Sequence, residues 1–83
     1  MGLASNFVKN LRRQRGRQLM SQKVLARVVG CDPTYISHLE HGRREPSLST
    51  IEAMADALLV HPLSLLSPPT DSEVQPSPAN PSD

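Results

Sequence analysis

Between residues 21 and 47 the chain alternates helix-start and helix-stop signals at short intervals, and this punctuation constrains its fold more than any other feature. Ser21 can accept from the free N–H groups of a following turn, and the run from Gln22 to Val29 has no breaker. Gly30 then supplies a residue suited to the left-handed conformation that ends helices. Asp32 is the next cap, Pro33 suits a first helical position, and the segment continues to His41 before Gly42 stops it. Pro46 blocks helical extension through the loop Arg43-Arg44-Glu45. Ser47 or Ser49 then caps a fourth helix, with Leu48, Ile51, Met54, Ala55 and Leu58 at i, i+3, i+4 spacing. Pro62 opens a last short turn with Leu63, Leu65 and Leu66. Upstream, the spacing predicts a helix capped by Ser5 and fraying near Gly16. It sets Phe7, Leu11, Gln14 and Gln18 on one face and Lys9, Arg12, Arg13 and Arg17 on the opposite arc, with Arg15 on the flank of the apolar side. Five helices and no strand make an all-α reading.

With 37% hydrophobic residues, one Phe, one Tyr and no Trp, the core must be aliphatic. The composition changes at Ser67: residues 67–83 hold five prolines, one aliphatic residue (Val74) and a net charge of −3. Such a segment cannot bury enough apolar area to offset the entropy of ordering, so a disordered acidic tail is expected after a single domain over residues 1–66. One cysteine excludes an intrachain disulfide framework. No apolar run approaches the roughly 20 residues that span a bilayer, and the start does not read as a signal peptide. A soluble intracellular protein without a membrane partner is the expectation. Residues 1–47 carry all nine basic residues against three acids, a net +6, whereas residues 48–83 carry five acids and no base. That asymmetry is a reason to look for a polyanionic partner of the first half.

The segment from Gln22 to Leu39 points to the function. A helix-turn-helix unit needs a small residue where its helices touch, a glycine in the turn, and aliphatic residues locking down the second helix. Ala26, Gly30, Ile36 and Leu39 meet those needs at positions five, nine, fifteen and eighteen counted from Gln22. This leaves Pro33, Thr34, Ser37 and His38 facing outward.

With these residues in hand, the chain from about residue 7 to 66 resembles the phage-repressor/Cro-type helix-turn-helix family, also called the xenobiotic-response-element family. The match is carried by LRRQR (from Leu11), SQKVLARVVG (from Ser21), YISHLEHGRREPSL (from Tyr35) and the terminal Leu65-Leu66. Gln14 stands where an aliphatic residue is usual, Leu59 where glycine often follows the fourth helix, and Pro33 is less usual near a base-reading position. The resemblance implies a five-helix, lambda-repressor-like DNA-binding domain whose third helix, about 33–41, enters the major groove. It implies base readout by Pro33, Thr34, Ser37 and His38, and a phosphate clamp at Gln22, where a helix N-terminus also favours an anion. Phosphate contact is further implied for Arg43 and Arg44, with weaker claims for Lys23 and Arg27; Tyr35 either meets phosphate or covers the core edge. Arg15 and Glu40 correspond to a structural pair between the first and third helices. Dimerisation is expected through Leu58, Val60, Leu63 and Leu66, which extend the apolar stripe.

Other chemistry is not supported. His38 and His41 are one turn apart, with Cys31 and Glu40 nearby in sequence, but without a spaced Cys or third His they make only a weak zinc signal. Cys31 reads as a small hydrophobe rather than a nucleophile. No phosphate loop or paired-carboxylate arrangement is present, so no enzyme, cofactor, metal or small-molecule ligand is expected. Two function classes remain open. One is a repressor-like transcription regulator binding double-stranded DNA as a homodimer on a two-fold operator; the resemblance implies a cytoplasmic, nucleoid-associated regulator encoded by a bacterium or phage. The other is a helical protein-interaction module, such as an antitoxin-like partner, an antirepressor or a coactivator bridge, that keeps the fold without base readout.

Overall fold

The computed structural model describes residues 2–69. They form α1 (Leu3–Arg17), α2 (Gln22–Val29), α3 (Pro33–Glu40), α4 (Leu48–Leu58) and α5 (Pro62–Leu66), with no strand among the described residues.

Four helix ends close in the same way. Met20 N–H bonds to Arg15 O, Cys31 N–H to Ala26 O, Arg43 N–H to His38 O, and Val60 N–H to Ala55 O, at 2.8–3.0 Å. This six-to-one bond requires a left-handed residue just before its donor. Glycine takes that place twice, at Gly30 (φ 91°) and Gly42 (φ 71°), and leucine twice, at Leu19 (φ 56°) and Leu59 (φ 59°). For leucine the conformation is strained, because its Cβ crowds the following carbonyl at about 1–2 kcal/mol. Leu59 is 87% exposed, so little packing offsets the strain. Leu59→Gly is therefore expected to raise stability by about 0.5–1 kcal/mol, read as a higher urea midpoint. A lower midpoint would show that the leucine side chain matters more than its backbone.

Helix starts are equally explicit. Ser21 Oγ accepts from Val24 N–H, Asp32 from Thr34 N–H, and Ser47 Oγ from Thr50 N–H, so Ser47 rather than Ser49 caps α4. The α5 cap is a residue the sequence did not single out: His61 Nδ1 accepts from Leu63 N–H at 3.0 Å. α3 ends at Glu40, with His41 as its C-cap.

α1 departs from the sequence expectation at both ends. It begins at Leu3 with Gly2 as an N-cap lacking a side-chain bond, so Ser5 lies inside the helix, and it runs through Gly16 to Arg17. Long-range ties explain the earlier start. Asn6 Nδ2 donates to Leu66 O at 3.0 Å, and Asn10 Nδ2 donates to Leu65 O at 3.0 Å and to Ser67 O at 2.7 Å. These bonds hold the first turns of α1 on α5. They also place Ser67 with the folded body rather than with the segment after it. Pro68 and Pro69 are the last described residues, and residues 70–83 of the expected tail lie outside them.

The core gathers Phe7 and Leu11 from α1, Leu25 and Ala26 from α2, Ile36 and Leu39 from α3, four residues of α4, and Leu65. Each fully buried aliphatic or aromatic side chain contributes about 1.5–3 kcal/mol. The α1 stripe is shorter than expected: Gln14 is half-buried, and Gln18 is exposed with its Nε2 donating to Leu58 O at 2.6 Å. Leu58, expected at a dimer interface, is fully buried in this core and has no surface to offer a second copy. Val60 and Leu66 also pack partly against the core, whereas Leu63 is 64% exposed.

Candidate nucleic-acid interface

α2 and α3 pack against each other with Ala26 of α2 buried, and the chain turns between them through Gly30 and the Asp32 cap. Ile36 and Leu39, both fully buried, fix one face of α3 to the core. The opposite face therefore has to look outward. Pro33 and Thr34 are exposed at its N-terminal end, and Ser37 and His38 are half-buried further along. The Thr34 N–H bond holds the exposed Asp32 carboxyl below the usual carboxylate range, so the cap is charged at neutral pH.

Behind this face a buried carboxylate joins three elements. Arg15 Nε donates to Glu40 Oε2 at 2.7 Å and Arg15 Nη2 donates to Glu40 Oε1 at 2.9 Å, a two-pronged pair between α1 and α3. Arg15 Nη1 also donates to Met20 O at 2.9 Å, fastening the α1–α2 turn. Gln22 Nε2 donates to Glu40 Oε1 at 3.0 Å, so the amide at the start of α2 is already oriented. One Nε2 hydrogen and the amide oxygen of Gln22 remain for other partners. Burial pushes the Glu40 carboxyl up, but the hydrogen bonds from Arg15 and Gln22, with the charges of Arg15 and Arg12, outweigh it and hold the group below the usual glutamate range. The Glu40 bond in turn raises Arg15.

The loop after α3 carries Arg43 and Arg44, both exposed. The Arg44 guanidinium carbon lies 5.5 Å from the centroid of the Tyr35 ring, within cation–π range. Tyr35 is half-buried, with its hydroxyl 3.2 Å from Thr50 Oγ1 at the first turn of α4. The Tyr35 side chain packs partly against the core and shares its hydroxyl with α4. Lys23 and Arg27 are exposed on α2.

The structure thus brings together Gln22, Arg15 and Glu40, and separately Tyr35, Arg44 and Thr50. It does not join His38 to His41: His41 Nδ1 lies 2.8 Å from Ser37 O, as a C-terminal cap of α3. Among the described residues no group of three or more His, Cys, Asp or Glu is arranged to hold a metal ion. Cys31 is half-buried against the core, and burial, with the Asp32 charge, pushes its thiol up. Among the described residues no helix is long and apolar enough to cross a membrane. Sequence reasoning missed Thr50, for which the only signal was its place one turn after the Ser47 cap. It also missed Asn10, whose i, i+4 relation to Asn6 was the available clue.

Comparison with known proteins agrees with this geometry. A helix-turn-helix family model matches residues 11–65. A hypothetical transcription factor of Neisseria meningitidis serogroup B is 45% identical over 62 residues, covering 75% of this chain. The match spans 58% of that relative's length. An uncharacterized HTH-type transcriptional regulator of Sinorhizobium fredii is 41% identical over 66 residues, covering 80% of each chain. Among solved structures, a hypothetical transcription factor from Neisseria superposes with a TM-score of 0.80 at 41% identity, covering 84% of this chain and 80% of its own. The cap-punctuated five-helix order, the buried face of α3 and these matches together make the chain a member of the helix-turn-helix family of transcription regulators.

Proposed function

We propose that the chain binds double-stranded DNA in a sequence-dependent manner as a repressor-like regulator, with α3 in the major groove and two copies on a two-fold operator. The observation that carries this reading is the division of α3: Ile36 and Leu39 are spent on the core, while Pro33 and Thr34 stand exposed at its N-terminal end. Exposed Lys23 and Arg27 precede α3 in sequence and exposed Arg43 and Arg44 follow it, as a phosphate-gripping surface requires. In this reading Thr34, Ser37 and His38 meet base edges, Pro33 offers its ring to a thymine methyl, and the oriented Gln22 amide meets a phosphate. The second copy docks on exposed Leu63 and on the free edges of Val60 and Leu66.

Selection of bound duplexes from a random pool tests the proposal, and a sequence-degenerate outcome would refute base readout. Variants then separate reading from gripping. Thr34→Ala and His38→Ala are expected to relax preference at particular base pairs, at about 1–3 kcal/mol for each base edge no longer read. Arg43→Ala should instead weaken binding to all sequences and reduce the log–log salt slope by about 0.9. Sedimentation of the complex gives its stoichiometry, and a single protomer on a non-palindromic site would remove the dimer from the proposal.

A further inference from the structure

The basic arc of α1 has no part in the function proposed so far, yet one of its members faces the loop that does. Arg12 lines a groove of about 540 Å³ whose opposite wall is the α3–α4 loop, with His41, Gly42 and Arg44. Both arginines are exposed, and Lys9 lies one turn before Arg12 on the same side of the helix. Arg44 is steadied against the Tyr35 ring. The floor of the groove reaches Glu40, whose charge is already matched by the two-pronged bond from Arg15. Glu40 also feels the charge of Arg12, but its oxygens accept from Arg15 and Gln22 rather than from Arg12, and the other acid lining the groove is the exposed Glu45. Because Glu40 accepts from the Gln22 amide, one buried carboxylate touches both this groove and the start of α2.

We propose that Arg12 and Arg44 grip one backbone phosphate of duplex DNA between them, so that α1 contributes a positioning contact beyond those of the helix-turn-helix unit and its loop. The inference rests on the DNA-binding reading above. Two guanidinium groups on opposite walls of one groove suit a tetrahedral anion with several acceptor oxygens, and a phosphodiester in a continuous strand fits an open groove rather than an enclosed cavity. The contact carries no base information.

The test uses the full chain and its selected duplex. Arg12→Ala is expected to leave the preferred sequence unchanged, to weaken binding to every duplex, and to reduce the log–log salt slope by about 0.9; Arg12→Lys should retain the slope. Glu45→Gln should tighten binding. A series of duplexes, each with one neutral methylphosphonate linkage, locates the phosphate: at one position the wild type weakens and the Arg12→Ala deficit disappears. Thermal unfolding of Arg12→Ala that matches the wild type separates this result from a disturbed Glu40. An unchanged salt slope in Arg12→Ala, or a deficit that persists at every neutral linkage, overturns the inference while leaving the DNA-binding reading intact. Absence of duplex binding by the wild type overturns both.

Discussion

Replacing Arg15 with alanine is expected to remove about 3 kcal/mol of folding stability, because it strands a buried carboxylate. Glu40 is 4% exposed, and both of its oxygens accept from Arg15. The same substitution frees Met20 O at the α1–α2 turn. Urea unfolding followed by circular dichroism measures the loss, and a value below about 1 kcal/mol would mean that the carboxylate finds water or another donor. The pair also predicts a pH dependence. Folding holds the Glu40 carboxyl below its ordinary value, so the unfolded chain takes up its proton first as the pH falls. The stability Glu40 contributes is therefore fully present above the unfolded value of about 4.3 and is lost as the pH drops through the lower folded value. Glu40→Gln should be less stable at neutral pH and show a flatter profile in the acid range. Parallel profiles for the two proteins would assign acid unfolding to other carboxylates.

The second large effect is expected at Asn10. Its amide supplies both hydrogens to carbonyls of α5 and the residue after it, and the side chain is 2% exposed. Asn10→Ala leaves the Leu65 and Ser67 carbonyls without these donors, at about 2–3 kcal/mol. Asn10→Asp should cost more, since a carboxylate would then face two carbonyl oxygens. Hydrogen exchange reads the effect locally: amides of α5 should exchange faster than those of α2 and α3. Uniform acceleration would indicate that α5 unfolds only with the whole domain.

These two sites also mark the boundary of what the sequence made legible. α2, α3 and the start of α4 could be read closely, because their ends are written in local chemistry: Ser21, Asp32 and Ser47 as caps, Gly30 and Gly42 as left-handed stops. The start of α1 could not, because no local cap marks it. Its first turns are held by acceptors 55 to 60 residues away, a distance over which helical periodicity carries no information. The α1 wheel left Asn10 unplaced and set Gln18 on the apolar face for a related reason. Asn10 is buried because a carbonyl of α5 meets it there, whereas Gln18, nearer the centre of the expected stripe, reaches a helix end from the surface. At the candidate interface, the outward face of α3 followed from the burial of Ile36 and Leu39. The engagement of Tyr35 with Thr50, and of Gln22 with Glu40, depended on tertiary packing and was not readable beforehand.

The Gln22–Glu40 bond has a consequence for affinity that is separate from any contact it makes with DNA. A free glutamine on a helix surface samples several rotamers, and fixing such a side chain on binding costs about 0.5–1.5 kcal/mol. Here the amide is held by a carboxylate that is itself held from α1, so that loss of freedom is incurred during folding. In the proposed phosphate contact, Gln22 would arrive preorganised. Glu40, though buried and remote from any base, would then influence how tightly DNA is held through conformational entropy alone.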